Sequence, residues 1–236
     1  MSNTLHLLRN VLQNSLDSTP KRSAAFFKTG IGDYAEHDQF IGITVPTVRK
    51  IAQHFISLTL EDLQCLIVSS INEERLLALI ILTKQYSTAT EPHKENVYQF
   101  YRTNMHHVNN WNLVDSSAHL IIGAHLFKQD CSILETLAAS KNVWERRIAI
   151  VATWYFIRQS ELEWTFKIAK LLHNDQHDLI HKAVGWMLRE AGKKHEVSLI
   201  SFLSEHAHQM PRTMRRYAME RLSKEQKTTV ITASLS

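Results

Sequence analysis

The sequence predicts an all-α protein, an α-solenoid whose stacked helix pairs curve around a concave basic groove. Its 236 residues include six glycines and four prolines, whereas all-β folds need a turn every eight to twelve residues and use more of both. Helical periodicity runs along almost the whole chain, and one helix pattern recurs at intervals of 32 to 40 residues. Repeats of this length made of helix pairs are typical of α-solenoids.

The individual helices are predicted from periodicity and from their start signals. The residues that follow NEER and VWERR place apolar side chains at helical spacing, and each segment predicts an amphipathic helix of three to four turns. Thr59 and Asn72 are good N-cap residues, and Pro46 and Pro211 suit a first helical turn. Strand-like alternation is limited to FIGITV at 40–45. The irregular segment 28–46 is predicted to be a long loop, which in a helical chain is usually functional or covers an end.

Five predicted helices share a charged residue followed by a small residue and a bulky apolar one. Stacking the repeats would align these charges in a row, of which four are basic and one is acidic: Arg75, Asp115, Arg147, Lys182 and Arg216. A basic row is suited to following a phosphate backbone. The charges could equally form salt bridges inside the repeats, and their spacing favours neither interpretation.

Charge is unevenly distributed in a chain that otherwise predicts one domain, 1–236. Residues 140–236 hold 16 Lys/Arg and 10 Asp/Glu, a net charge of +6, whereas residues 1–139 carry a net charge of −2. A basic half fits a polyanionic partner, although it is also common in proteins that bind none.

Several classes of protein and site are excluded by the sequence. Cys65 and Cys131 lie in apolar stretches, which predicts buried thiols rather than a disulfide or a metal site. The histidines form no zinc-ligand pattern, and nucleotide-binding and nucleophile motifs are absent. We therefore expect neither a metal nor a cofactor. The amphipathic start and the lack of a long apolar stretch predict a cytoplasmic protein with no membrane partner.

Tryptophan–charge pairs are the candidate functional residues. Trp111 precedes Asp115, Trp144 precedes Arg147, and Trp186 precedes Arg189 by three or four positions, so each pair shares a helix face. An aromatic, cationic surface with one carboxylate suits a nucleic-acid groove with a catalytic residue in it. The alternative for each pair is a surface charge beside a core indole, and packing alone is predicted for Trp154 and Trp164.

The motifs that contain these pairs resemble those of the AlkD-like family of DNA alkylation repair glycosylases. The resemblance runs from about residue 20 to about residue 222, through FFKTGIGDYAEHDQFIGITVPTVRKIA, NWNLVDSSA, NVWERRIAI and KAVGWMLREAGK. It implies a HEAT-like α-solenoid that removes cationic N3- or N7-alkylated purines from double-stranded DNA, without a cofactor and without a need to flip the base. The resemblance places the family's catalytic aspartate at Asp115 and its two tryptophans at Trp111 and Trp186. It places the family's groove arginine at Arg147 and a phosphate-contacting arginine at Arg189.

Lys182 and Arg216 are further candidates for DNA binding. The chemistry that the resemblance implies is also reasonable from the residues themselves. One carboxylate can stabilise the oxocarbenium-like state that develops on the sugar. A cationic purine leaves as a neutral base, so no general acid is required. Two other functions remain open: a non-catalytic solenoid that recognises damaged or branched DNA, and a protein-interaction scaffold. A monomer is expected.

Overall fold

The fold is all-α, as the sequence predicts, and is consistent with an α-solenoid repeat protein. A computed structural model describes residues 2–233, of which 71% are helical, and these residues contain no strand. The helices are α1 (Asn3–Gln13), α2 (Pro20–Phe27), α3 (Val45–His54), α4 (Leu60–Ile67), α5 (Asn72–Thr88), α6 (Glu91–Thr103), α7 (Trp111–Ala118), α8 (Ala124–Leu126), α9 (Ser132–Ala138), α10 (Val143–Arg158), α11 (Glu163–Leu172), α12 (Asp178–Lys194), α13 (Glu196–His206), α14 (Arg212–Ala218) and α15 (Lys224–Ala233). A 3₁₀ turn at Met105–His107 precedes α7, and a π-helical segment at His119–Gly123 separates α7 from α8.

The helices form two compact units, residues 1–121 and 122–236. In the first unit, α3, α4, α6 and α7 all pack against α5, which buries 13 of its 17 residues. In the second unit, α10 packs against α12 and α12 against α14, while α9, α11 and α13 lie against this row. Packing between alternate helices is the arrangement expected of stacked helix pairs.

In the second unit the repeat is 32 residues long, and the neighbouring helices α10 and α12 run in the same direction. Arg147 Nη1 on α10 donates to the carbonyl of Leu179 on α12, and seven residues further along both helices the rings of Trp154 and Trp186 meet. Both pairs are 32 positions apart. Gly185 on α12 is also 32 positions from its neighbour Tyr217 on α14, and a Cβ on this glycine would lie 2.5 Å from the Tyr217 Cβ.

The observed 32-residue repeat corrects the alignment of charged residues that their sequence spacing predicted. Arg147 and Lys182 are 35 residues apart in sequence, three more than the observed repeat, and Lys182 and Arg216 are 34 apart. The residue facing Arg147 is therefore Leu179, and Lys182 lies almost one turn further along α12. Arg147, Lys182 and Arg216 lie on α10, α12 and α14, but they do not lie at equivalent positions of these helices.

The segment between α2 and α3 is irregular, and buried carboxylates hold it. Its backbone N–H groups at Ile41, Gly42 and Ile43 all donate to the Glu73 carboxylate on α5, at 2.9 to 3.2 Å. Gly42 has φ +92°, and a Cβ there would lie 2.7 Å from the carbonyl oxygen of Ser18. The strand-like stretch FIGITV is therefore an anchored irregular segment that leads into α3, and the nearby parallel bridge between Gln39 and Ile71 is isolated.

Candidate functional site

Trp111 begins α7 and Asp115 lies one turn later on the same helix, both half-buried. The Trp111 indole stacks on the Phe27 ring, with centroids 5.0 Å apart and planes 23° apart. The Phe26 ring is steeply inclined to the indole, at 70°, with centroids 5.6 Å apart. The indole Nε1–H donates to the Tyr34 hydroxyl oxygen at 3.1 Å. The indole is therefore fixed by the irregular segment and α2, and Asp115 extends from the same helix face one turn away.

A buried polar network underlies this aromatic cluster. The Asp38 carboxylate, whose side chain is fully buried, forms an ion pair with Arg75 on α5. It also accepts hydrogen bonds from the amide nitrogens of Asn72 at 2.8 Å and of Asn110 at 2.6 Å. Asn110 immediately precedes α7. Asp38 thus ties the irregular segment both to α5 and to the helix start that carries Trp111.

Arg75 is a structural ion-pair residue, so the salt-bridge interpretation applies at this position of the predicted row. Its side chain is 3% exposed, and besides Asp38 it donates to the carbonyl of Ser69 at 2.6 Å. A guanidinium so enclosed has no access to a phosphate.

Asp115 lies close enough to a buried tyrosine to influence it. Ser117 donates its hydroxyl to the carbonyl of Leu113 at 2.6 Å, so the Tyr101 hydroxyl donates in turn to Ser117 at 3.1 Å. Burial raises the pKa of Tyr101, the hydrogen bond with Ser117 opposes this shift, and the negative charge of Asp115 adds to it. Tyr101 is therefore a neutral neighbour of the carboxylate.

Arg147 and Trp186 occupy the α10–α12 interface of the second unit. Arg147 is 5% exposed and donates to the Leu179 carbonyl at 2.5 Å. Trp186 is half-buried and packs edge-on against Trp154, with centroids 4.9 Å apart. Because the two contacts are seven residues apart on each helix, Arg147 and Trp186 lie about 10 Å apart along the helix axes. Trp154 thus has a packing role, as the sequence predicts.

The remaining basic candidates differ in how their charge is compensated. Lys182 pairs with Asp178 at 2.7 Å, and Arg189 lies between Glu220 and Glu190. Arg216 is exposed, and its guanidinium lies 5.6 Å from the centre of the Tyr217 ring. Of these three side chains, Arg216 is the most accessible to a polyanion.

A basic pocket of about 680 Å³ adds residues that sequence reasoning missed. It lies where α12 ends, and its polar lining comprises Arg189, Lys193, Lys194, Glu196 and Arg221. Arg221 follows Arg189 by 32 residues, the repeat observed for this unit. The repeat length was therefore the signal that could have identified Arg221, and the lysine pair is visible directly in the sequence.

The described part of the chain holds no group of three or more histidine, cysteine or acidic side chains arranged for a metal ion. In residues 2–233, every helix is too short or too polar to cross a membrane. Cys131 is buried as predicted, and burial raises its pKa to about 11, whereas Cys65 is only half-buried.

Comparisons with known proteins agree with this architecture. A solved structure described as a predicted DNA alkylation repair enzyme from Enterococcus faecalis has the same fold, with a TM-score of 0.67 and 16% sequence identity. The alignment covers 87% of this chain and 95% of that one. No curated protein matches the chain. The family model for DNA alkylation repair enzymes matches residues 8–222. The chain therefore belongs to the DNA alkylation repair enzyme family.

Proposed function

We propose that this protein is a monofunctional DNA glycosylase that hydrolyses the N-glycosidic bond of cationic N3- and N7-alkylated purines in duplex DNA. It acts as a monomeric single domain in the cytoplasm and uses no cofactor. Asp115 is the catalytic residue, and Trp111, Arg147 and Trp186 bind the lesion and its flanking backbone.

The observation that carries this proposal is the pairing of Asp115 with a fixed indole on one face of α7. Both side chains are half-buried, and Trp111 is held by a stack and a hydrogen bond. A carboxylate in such a setting is close to an aromatic face, which attracts cations. The family supports DNA as the substrate.

The reaction needs little more than this carboxylate. The bond between C1′ and the purine nitrogen breaks, and its electron pair neutralises the positive charge of the alkylated base. The sugar becomes oxocarbenium-like, and the negative charge of Asp115 stabilises that state. Water then adds to C1′ and releases a proton. Since the base leaves without being protonated, a second acid is unnecessary.

The basic residues contribute to binding rather than to bond cleavage. Arg216 and the pocket around Arg189 and Arg221 supply positive charge for the DNA backbone. Lys182 belongs to the same basic set, although Asp178 offsets its charge. Arg147 would have to exchange its hydrogen bond with the Leu179 carbonyl for a phosphate, so its contribution depends on movement at this contact.

The test is release of free base from methylated duplex DNA by wild type and Asp115→Asn under single-turnover conditions. The substitution is nearly isosteric and removes a charge that repels phosphate, so fold and duplex affinity should persist. Loss of a transition-state interaction of roughly 3 kcal/mol lowers the rate about a hundredfold. Glu95→Gln, an exposed carboxylate on α6, is the matched control and should keep the wild-type rate.

Two outcomes would overturn the assignment in different ways. Full activity of Asp115→Asn would show that another residue is catalytic. A wild type that binds duplex DNA with strong salt dependence but releases no base would favour the non-catalytic DNA-binding function. Absence of duplex binding would leave the protein-interaction scaffold.

A further inference from the structure

We propose that Tyr34 is a positioning residue that sets the orientation of Trp111 beside Asp115. The inference rests on the proposed function and extends it to the irregular segment between α2 and α3. It concerns the hydrogen bond from Trp111 Nε1 to the Tyr34 hydroxyl, which joins residues 77 positions apart.

The aromatic contacts of Trp111 leave one degree of freedom that a hydrogen bond can remove. Its stack on Phe27, with planes 23° apart, restrains tilt of the indole, because tilt would break the face-to-face contact. Phe26 also contacts the indole but is 66% exposed, so its own position is weakly determined. Rotation of the indole within its plane preserves stacking. The directional N–H···O contact with Tyr34 is what opposes that rotation.

Tyr34 can act in this way because its own backbone is held on the C-terminal side. Ala35 follows it, is fully buried, and donates its N–H to the carbonyl of Lys28. Asp38 comes three residues after Ala35 and donates its N–H to the Ala35 carbonyl at 2.9 Å. The Asp38 carboxylate is anchored in turn by Arg75. Tyr34 therefore sits on a rigid support rather than on a free loop.

The consequence for catalysis follows from the position of Trp111 on α7. The indole lies one turn before Asp115, so rotation of the ring changes the aromatic surface that flanks a base and sugar placed against the carboxylate. Small displacements of positioning groups are costly, because the reacting atoms must be aligned. Loss of the hydrogen bond should therefore reduce the rate of bond cleavage more than the affinity for DNA.

The experiment uses Tyr34→Phe in the full chain, which retains the ring and removes only the hydroxyl. In ¹⁵N-labelled protein, the indole N–H resonance of Trp111 is assigned by its disappearance in Trp111→Phe. It should shift upfield and exchange faster with solvent in Tyr34→Phe, while the other four indole resonances stay in place. A neutral hydrogen bond corresponds to a fall of about two- to tenfold in single-turnover base release, with duplex affinity within about twofold of wild type.

The matched control is Tyr155→Phe, which removes a hydroxyl from another half-buried tyrosine, packed on Phe127. It should leave both the Trp111 resonance and the rate unchanged. A second variant, Tyr34→Leu, removes the ring as well and should lower the rate at least as far as Tyr34→Phe.

The possible failures are distinguishable. An unchanged Trp111 resonance in Tyr34→Phe refutes the contact itself. A shifted resonance with an unchanged rate refutes the positioning role and leaves the glycosylase proposal intact. A wild type that releases no base refutes the glycosylase proposal, and the catalytic role of Tyr34 falls with it.

Discussion

Replacement of Asp38 by asparagine should destabilise the protein more than any surface substitution. The Asp38 carboxylate is fully buried, and its ion-pair partner Arg75 is 3% exposed. Asparagine preserves the shape but carries no charge, so the Arg75 guanidinium stays buried without its counter-ion. The one side-chain oxygen of asparagine cannot accept both from Arg75 and from the amides of Asn72 and Asn110, so one side of the network also loses its acceptor. Breaking a buried pair by removing one partner costs about 3–5 kcal/mol.

This loss of unfolding free energy is large enough to measure by urea unfolding, and the melting temperature by thermal unfolding, both followed by far-ultraviolet circular dichroism. For a protein of this size, each kcal/mol corresponds to a melting temperature change of roughly 2–4 °C, so a decrease of about 6–20 °C is expected. Asp33→Asn is the matched control, because Asp33 is an exposed carboxylate on the same segment. It should change the free energy of unfolding by less than about 0.5 kcal/mol.

A double-mutant cycle separates the pair from its surroundings. Arg75→Met removes the cation and retains an apolar chain of similar length. If the stranded charge is the cause of instability, Asp38→Asn should cost less in an Arg75→Met background than in wild type, with a coupling of about 1–3 kcal/mol. Equal costs in both backgrounds, or a loss below about 1 kcal/mol for the single variant, would refute the reasoning.

Two further predictions concern the second unit. Arg221→Gln in the basic pocket should weaken duplex binding for all DNA sequences alike and lower the slope of log affinity against log salt concentration by about one, measured by fluorescence anisotropy. The control is Arg158→Gln, since Arg158 is an exposed arginine outside that pocket. An equal slope in both variants would contradict the prediction. Burial holds the pKa of His177 below its ordinary value, with Asp175 opposing the shift, and the neutral Nδ1 accepts the Leu179 N–H at 3.1 Å to cap α12. Its contribution to stability is therefore complete above the unfolded pKa of about 6.5 and is lost as the pH falls through the lower folded value. His177→Asn retains a capping oxygen and should lose less unfolding free energy than wild type between pH 7.5 and 5, measured by urea unfolding; identical losses would refute the role of His177.

The sequence alone determined the features that depend on near neighbours in the chain. Helical periodicity predicted helices such as α5 and α10, because side chains three or four residues apart share a helix face whatever the rest of the fold does. The N-cap predicted at Asn72 was wrong, because Asn72 is the first residue of α5 and Ile71 is its N-cap. The same rule of helical spacing paired Trp111 with Asp115. The family resemblance added the catalytic and DNA-binding roles proposed for these residues, which periodicity could not provide.

The tertiary structure decided which distant groups meet. Spacing left open whether Arg75 binds phosphate or forms a salt bridge, and the answer depends on Asp38, 37 positions away. It also placed Lys182 opposite Arg147, whereas packing of α10 on α12 puts Leu179 there, because helix register is set by interlocking side chains rather than by charge spacing. The contact of Tyr34 with Trp111 spans 77 positions and follows from anchors on both segments, so no pattern within either segment could have indicated it.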